Sequence, residues 1–434
     1  MNINEILDDK KAGHALSKEE IDFLIYGYKS GKVSDGKMID FMEIINESNF
    51  SYAETYFLAD AIAKSGKLLK TSSEVGMVVE KHSAGLVSDP TSLVFMSVMA
   101  SLGVKNIKLL SSEYGDYRNS LDRLKIFKGF DADISPEVFY QRTKSVGVGL
   151  IEQGEDIAPV DKMLYKLRKR AKIVSIPLIA SSIIAKKIAT GSKVLVFDVK
   201  TGEGALTQSP KYAQTLATYL VEVGKLAGFT CASVITNLDQ PLGSCVGERT
   251  EMEEVLAVLR SDRALYDAKL LDVSRELVIV ALCLMKIASG RNEAYEMFED
   301  AINSGKALDK FKEIVGAYGG EYQDLKHQSN LLLDGVAISY ITANDNGYIG
   351  DISISKLNEA HDKLDGDGYN IDRNAGIVLL AREGTKVSYG DKIARVFYSI
   401  KNKNFPESTL FIKDAIKITK QKPLVHNVFY KVIV

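Results

Sequence analysis

The chain has 434 residues, 46% of them hydrophobic, which is enough for two domains or for one large domain with an appendage. Its net charge of −2 gives no reason to expect nucleic acid or an anionic membrane surface as a partner. The three cysteines have no CxxC spacing, which argues against a disulfide framework. The N-terminus is charged, unlike a secretory leader, and no apolar run reaches the roughly 18 residues of a membrane span. We therefore expect a soluble cytoplasmic protein.

Residues 1–70 have the pattern of a helical block. Two capping boxes, Ser17–Glu20 and Ser51–Glu54, each stand before apolar residues that recur at helical spacing. The polar, glycine-bearing stretch 64–76 that follows is typical of a linker or hinge.

An alternation of strands, turns and helices begins near residue 77. Short apolar runs rich in β-branched residues occur at 77–80, 104–110, 193–199 and 231–238, and helical segments separate them. This order predicts a mainly parallel sheet with helices on its faces. Sites in such sheets lie in the loops that follow the carboxyl ends of the strands, which makes those loops the candidates here.

Two further patterns complete the chain. The stretch Tyr165–Gly191 is predicted to be helical but broken by Pro177, with Gly191 as its C-cap, and residues 250–318 are mostly helical. After about residue 330, short alternating strands separated by glycine and aspartate turns predict a β-rich module.

The segment IPLIASSIIAKK places a hydroxyl and an ammonium on one face of a helix. Ser182 and Lys186 are four residues apart, and Arg168 lies upstream with its fork of donors. Because most lysines and arginines are exposed, an ordinary basic helix surface is the alternative. The isoleucines around Ser182 argue against a solvated face, and the set suits a polar ring rich in carbonyl oxygens.

The turn after the first predicted strand suits an anion. Lys81 offers a charge, Ser83 offers a hydroxyl, and Ser92 lies in the first turn of a helix, where amides are unpaired. The alternative is a strand-end turn with a capped helix start, for which Asp89 before Pro90 is sufficient.

These motifs and several others occur in one order along the chain. They are KHSAG with TSL after it, SLDRL, YKLR, SIPLIASSIIAKKIATG, FDVKTGEGA, TNLDQPLG and AGIVLLAREGTKVSYGDKIA. As a set in this order, the motifs are specific, and they cover nearly the full length of the chain. The sequence resembles the thymidine phosphorylase and pyrimidine-nucleoside phosphorylase family.

The resemblance implies an α/β fold with a small all-helical domain and a large α/β domain that has a mainly parallel central sheet. The helical domain would comprise residues 1–70 and 158–191, and the α/β domain residues 71–157 and 192–330. Residues 331–434 would form the C-terminal β-rich module of the large domain. In this family the two domains close on the site like a jaw, and two chains pair as a homodimer through the helical domains.

The resemblance also implies an activity. Such a pentosyltransferase cleaves pyrimidine nucleosides of the uridine or thymidine type with phosphate, giving the free base and a pentose 1-phosphate. Tyr165, Arg168, Ser182 and Lys186 would hold the base, and His82 would lie near its carbonyl. Catalysis would rest on His82, Arg168 and Lys186, because the departing base becomes negative and needs donors.

Phosphate, the second substrate, is assigned to residues of two segments. Lys81, Ser83, Ser92 and Ser120 match the family's phosphate contacts. Arg118 is a further candidate, since a guanidinium fork suits phosphate.

The same two segments depart from the family pattern. Leu86 and Ser88 stand where the family has glycines, and Pro90 lacks an amide donor. Glu113 and Asp116 bring negative charge toward a dianion. Each contact costs about 2–3 kcal/mol at ~6 Å with an effective dielectric of ~20. The resemblance is therefore to a divergent member with an altered phosphate-binding region.

No organic cofactor is implied, but the bacterial pattern includes a potassium ion. Leu242 and Cys245 match two backbone carbonyl ligands of that ion, and Glu254 matches its carboxylate ligand. Further ligands would come from Ser88 and Pro90, where the expected hydroxyl is missing.

Three functions stay open at this point. The first is a pyrimidine-nucleoside phosphorylase with a remodelled phosphate site. The second keeps the base-binding residues and uses water, with Asp116 or Glu113 as general base, which would make a nucleoside hydrolase-like enzyme. The third is a non-catalytic homologue that binds a nucleoside or base, because fold-level resemblance does not fix chemistry.

Overall fold

The computed structural model describes residues 1–48, 50–84, 90–110, 119–323, 325, 335–366 and 372–434. The predictions made for Leu86, Ser88, Glu113, Asp116 and Arg118 concern residues outside these ranges. No helix within the ranges is long and apolar enough to cross a bilayer.

The N-terminal part is helical, as predicted. Both capping boxes are formed, with Ser17 Oγ accepting from the Glu20 amide at 3.3 Å and Ser51 Oγ accepting from the Glu54 amide at 3.2 Å. The helices are α1 (Ile3–Lys11), α2 (Lys18–Lys29), α3 (Asp35–Glu47), α4 (Tyr52–Lys64) and the short α5 (Thr71–Glu74).

Strands and helices alternate through the middle of the chain, which confirms the α/β prediction. The elements are β1 (Val79–Ala84), α6 (Thr91–Ser101), β2 (Asn106–Leu110), α7 (Ser120–Leu124), α8 (Pro136–Val146), β3 (Val148–Glu152), α9 (Pro159–Ala171), α10 (Ile176–Thr190), β4 (Val194–Thr201), α11 (Pro210–Leu226) and β5 (Thr230–Asn237). A mostly helical stretch then contains β6 (Cys245–Val246), α12 (Glu248–Leu259), α13 (Ala268–Leu284), α14 (Arg291–Asn303) and α15 (Lys306–Ala317).

The break in the predicted middle helix lies before Pro177 and not at it. Helix α9 ends at Ala171, Lys172 has a φ of 57°, and α10 begins at Ile176. Pro177 is in the first turn of α10, where a missing N–H costs no intrahelical hydrogen bond. The prediction that the proline interrupts the helix was wrong in this respect. The C-cap at Gly191, with a φ of 71°, is confirmed.

The C-terminal part holds the predicted short strands and also two helices that were not predicted. Leu357, His361 and Leu364 form one buried stripe at helical spacing, in a region whose glycine and aspartate turns favoured strands. The elements are β7 (Val336–Thr342), β8 (Gly347–Ile352), α16 (Ile354–Leu364), β9 (Gly376–Leu379), β10 (Lys386–Val387), β11 (Lys392–Ser399), α17 (Phe405–Ala415), β12 (Ile416–Thr419) and β13 (Phe429–Ile433).

The central sheet has the strand order β13-β5-β4-β1-β2-β3 and is mainly parallel, as predicted. Only β13 runs antiparallel to its neighbour β5, with Val432 opposite Val234. The sequence had placed this last strand with the C-terminal module, because alternation reveals a strand but not its partner. The module contains two smaller sheets, with strand orders β10-β8-β12 and β6-β9-β11-β7. The second sheet also includes β6, which comes from the preceding part of the chain.

Each face of the central sheet is covered by helices. Val194 and Val196 face the layer that contains α6, α13 and α15, whereas Leu195 and Phe197 face α10 and α11. The N-terminal helices share one continuous apolar core with the second of these faces. The boundaries between a helical and an α/β domain stay a prediction.

Candidate functional site

Polar side chains replace apolar ones at the carboxyl ends of the central strands. On β1, Lys81 and Ser83 continue the row of side chains that faces α6, and on β4, Asp198 and Lys200 do the same. Ser83 and Asp198 are directly paired in the parallel register. This is the edge of a parallel sheet at which ligands bind.

Asp198 is the centre of this polar group. Its Oδ2 lies 3.2 Å from Lys81 Nζ and 2.8 Å from Lys200 Nζ, and it accepts a hydrogen bond from Ser83 Oγ at 3.3 Å. Its Oδ1 accepts from Thr236 Oγ1 on β5 at 2.8 Å. The three ionic side chains are no more than 2% exposed, so one buried carboxylate is shared by two buried ammonium groups.

The first turn of α6 completes the group. Lys81 Nζ donates to Thr91 Oγ1 at 2.6 Å and to Ser92 Oγ at 3.2 Å, and Lys108 Nζ on β2 reaches the same Ser92 hydroxyl at 3.2 Å. With Lys200, three ammonium groups belong to this region of the sheet edge. Ammonium groups and hydroxyls of this kind suit a phosphate. We call these residues the lysine cluster: Lys81, Ser83, Thr91, Ser92, Lys108, Asp198 and Lys200.

The structure brings Lys81, Ser83 and Ser92 together, as the sequence predicted. Ser120 is buried at the first position of α7, next to Asn119, whose side chain caps that helix. Its contact with phosphate stays a prediction. Pro90 directly precedes α6, so the helix start lacks the amide donor that another residue would supply.

The residues predicted to hold the base lie on two helices. On α10, Lys186 Nζ donates to Ser182 Oγ at 3.1 Å and forms an ion pair with Asp161 Oδ2 at 2.9 Å. On α9, the Arg168 guanidinium lies 5.6 Å from the centre of the Tyr165 ring, a cation–π distance. We call this set the base grip: Asp161, Tyr165, Arg168, Ser182 and Lys186.

A small pocket opens beside the base grip. Tyr165, Arg168 and Ser182 line its polar side. Its apolar side is formed by Met42, Ile62, Leu164 and Leu178. An apolar wall with a few converging polar groups is the usual lining of a small-molecule site.

His82 lies near residues of both groups, since the charges of Lys81, Lys108 and Lys186 act on its imidazole. On β1 it follows Lys81, so its side chain points to the opposite face of the sheet. Burial lowers the pKa of His82 well below its ordinary value of 6.5, and the charges of Lys187, Lys186, Lys108 and Lys81 lower it further. The imidazole is therefore neutral at pH 7 and presents one N–H donor.

The residues predicted to hold potassium are arranged differently from an open cation site. Glu254 Oε1 accepts from the Ser244 amide at 2.7 Å and from the Asp267 amide at 2.9 Å. Glu254 Oε2 accepts from the Ser244 amide at 2.9 Å and from the Cys245 amide at 3.2 Å. Arg382 donates to the nearby carbonyl oxygens of residues 241 and 243 at 2.8 Å. A cation would have to displace amide donors, so these residues do not fit the ion as they stand. The potassium ion stays a prediction.

Four charged residues of the two groups were not predicted from the sequence. Asp198 and Lys200 had a signal, since two charges at alternate positions in an otherwise apolar strand must be paired when buried. Lys108 and Asp161 had none, because nothing in the local sequence shows that they approach Ser92 and Lys186.

The chain is similar in sequence to known proteins. Residues 76–308 match the family model described as the a/b domain of the glycosyl transferase family. The pyrimidine-nucleoside phosphorylase of Staphylococcus epidermidis strain RP62A is 33% identical over 408 residues, covering 92% of this chain and 93% of that protein. The pyrimidine-nucleoside phosphorylase of Geobacillus stearothermophilus is 32% identical over 407 residues, covering 92% of each.

A solved structure shares the fold. Anthranilate phosphoribosyltransferase from Thermus thermophilus superposes with a TM-score of 0.55 at 13% identity, covering 72% of this chain and 98% of that one. At this identity the likeness concerns the fold alone. On the family match and on the identities over nearly its whole length, the chain belongs to the pyrimidine-nucleoside phosphorylase family.

Proposed function

We propose that this protein is a pyrimidine-nucleoside phosphorylase. It cleaves nucleosides of the uridine or thymidine type with phosphate, giving the free base and a pentose 1-phosphate. The observation that carries the proposal is the presence of two polar groups near His82. One is the lysine cluster, in which ammonium groups meet the Ser92 hydroxyl and the Asp198 carboxylate, and the other is a base grip with a guanidinium, a hydroxyl and an ammonium.

The base grip supports the departure of the base. As the glycosidic bond breaks, its electron pair moves to the base, and negative charge appears along the O2–N3–O4 edge. Arg168 and Lys186 face this charge with positive groups, and Ser182 and the neutral His82 each offer a donor. Removal of one such donor typically lowers kcat by about 10²–10³-fold.

The lysine cluster supports the attack of phosphate. Lys81, Lys108 and Lys200 attract the dianion, and the hydroxyls of Ser83 and Ser92 offer donors that orient it. An oxygen lone pair of phosphate forms the new bond to C1′ while the bond from C1′ to the base nitrogen breaks. The released base anion takes its proton from water. Holding both reactants in line converts the reaction into an effectively unimolecular step.

The two other functions are not favoured. Relatives at 32–33% identity over more than nine-tenths of the chain are named phosphorylases. The predicted base residues are present here, as are Lys81, Ser83, Ser92 and Ser120 of the predicted phosphate residues. The hydrolase hypothesis rested on Glu113 and Asp116, which lie outside the described residues.

We also infer a cytoplasmic homodimer that pairs through the N-terminal helices and binds neither nucleic acid nor membranes. Tyr26 on α2 and Tyr52 on α4 are 40% and 38% exposed and would be available for such a contact. The described cysteines form no disulfide, as in a reducing compartment. Sedimentation at micromolar concentration should give twice the mass of the chain, and a monomer would contradict the inference.

The activity is tested by incubating the protein with uridine and with thymidine, with and without phosphate. We expect free base and pentose 1-phosphate only when phosphate is present. Base release without phosphate would support a hydrolase, and saturable uracil binding without release would support a non-catalytic homologue. Lys186→Met should abolish turnover. Lys193→Met, an exposed lysine just before β4 at the far edge of the sheet, is the matched control and should have no effect.

A further inference from the structure

A buried ion pair joins strand β1 to helix α10. The Glu80 side chain is 0% exposed and that of Lys187 is 3% exposed, and Lys187 Nζ bonds Glu80 Oε1. The other carboxylate oxygen accepts from Ser192 Oγ at 2.6 Å and from Thr190 Oγ1 at 3.0 Å. This network fastens the carboxyl end of α10 to the middle of the sheet.

Each partner of this pair is a sequence neighbour of a site residue. Glu80 precedes Lys81 of the lysine cluster, and His82 lies on the same face of β1 as Glu80. Lys187 follows Lys186 of the base grip. The Glu80–Lys187 pair is therefore the point at which the strand carrying the phosphate residues and the helix carrying the base residues are held together.

The linker that was predicted from the sequence is tied to the same end of α10. The Leu69 amide donates to the carbonyl oxygen of residue 189 at 2.7 Å. Thr71 Oγ1 donates to the carbonyl of residue 190 at 2.5 Å, and Ser72 Oγ donates to that of residue 191 at 2.6 Å. The carboxyl end of α10 is thus bonded to the linker as well as to β1.

Stability alone does not explain why two charges are buried here. Burial lowers the pKa of Lys187, and the neighbouring charge of Lys186 lowers it further, although Glu80 acts in the opposite direction. A buried ion pair is often replaceable by apolar residues of similar size without loss of stability. An apolar contact, however, tolerates sliding, whereas a carboxylate with three bonded donors has one geometry.

We propose that Glu80 and Lys187 are positioning residues that set the distance between the lysine cluster and the base grip. The inference rests on the proposed phosphorolysis. Neither side chain touches the reactants. The pair places α10 on β1 so that a phosphate bound at Lys81 and a base bound at Lys186 are aligned for reaction. This alignment matters, because a displacement of about 1 Å can lower the rate about 10²-fold.

The test uses Lys187→Met and the double variant Glu80→Leu, Lys187→Leu in the full chain. The single variant leaves Glu80 buried without its cation, so its Tm should fall, and the double variant should recover most of that Tm. In both, kcat for uridine phosphorolysis should fall at least about 10-fold, while the KM values for uridine and phosphate stay within about threefold. If the single variant does not fold, the double variant carries the test.

Lys10→Met is the matched control. Lys10 and Glu54 form an equally buried pair in the N-terminal helices, with both side chains 2% exposed and 2.7 Å between Nζ and Oε1. Its loss should lower the Tm but leave kcat unchanged. A double variant that regains wild-type kcat, or variants that change KM and not kcat, would overturn the positioning role. A wild type without phosphorolysis would overturn the proposed function and this inference together, whereas an active wild type with fully active variants overturns this inference alone.

Discussion

Asp161 and Lys186 form an ion pair across helices α9 and α10, with 2.9 Å between Oδ2 and Nζ. The carboxylate is 2% exposed and holds the ammonium beside the Ser182 hydroxyl. The positive group that we propose to face the departing base is thus in place before a nucleoside arrives. Preorganised charge of this kind needs no rearrangement during the reaction, which is why it lowers the barrier.

Replacing Asp161 by asparagine should therefore weaken catalysis through Lys186. Asparagine keeps the shape but removes the charge that holds the ammonium, so we expect kcat/KM for uridine to fall about 10-fold, or about 1.4 kcal/mol of transition-state stabilisation. Steady-state kinetics at saturating phosphate measure this. Asp156→Asn is the control, because Asp156 forms an exposed ion pair with Lys67 and is not part of the base grip. Equal kinetics of the Asp161 variant and the wild type would show that Asp161 does not contribute to catalysis through Lys186.

Replacing Lys108 by methionine should act on phosphate alone. The substitution removes one of three positive charges and the contact with Ser92, so the KM for phosphate should rise about 10-fold while that for uridine changes little. The control is Lys105→Met, near the start of β2, where the ammonium reaches the carbonyl of Val75 instead. A rise in both KM values would contradict a separate phosphate role.

Replacing Asp198 by asparagine should make the protein dependent on phosphate for stability. Lys81 and Lys200 then lose their buried counter-charge, at a cost of about 3–5 kcal/mol in unfolding free energy. Phosphate supplies negative charge at the same place, so it should raise the Tm of the variant more than that of the wild type. Thermal unfolding with phosphate or chloride at equal ionic strength measures this, and equal phosphate shifts in both proteins would contradict it.

His82 should make the folded state lose stability in mild acid. Its pKa is lowered in the folded protein, so below the unfolded value of 6.5 the unfolded chain binds a proton that the folded chain does not. The free energy of unfolding should therefore fall as the pH decreases from about 6.5, by at most about 1.4 kcal/mol per pH unit from this group. Urea unfolding between pH 5 and 8 checks this. His82→Gln should show a shallower slope than the wild type, and parallel slopes would exclude His82 as the cause.

The potassium prediction is tested by exchanging the salt. Because amide donors already satisfy both Glu254 oxygens, replacing potassium chloride by choline chloride should change neither the Tm nor kcat. A Tm that rises with potassium but not with choline would show that the ion binds after all.

Much of the site could be predicted because its residues belong to contiguous motifs. Ser182 and Lys186 are four apart on one helix, and Lys81 and Ser83 are two apart on one strand, so local periodicity already places each pair on one face. The approach of Asp161 to Lys186 spans 25 positions and two helices, and no local pattern encodes it. The two C-terminal helices were missed for a related reason, since turn residues there outweighed a short helical stripe.

The sequence by itself determined the family and the α/β class, because motif order and side-chain periodicity are local properties. The residues that it assigns to each substrate stay predictions. Only the tertiary structure decided how these parts meet. It placed two lysines on one carboxylate at Asp198, joined β13 to the central sheet, and fastened α10 to β1 through Glu80 and Lys187. Those contacts depend on the balance of buried charge and packing between distant segments, which appears only when the chain is folded.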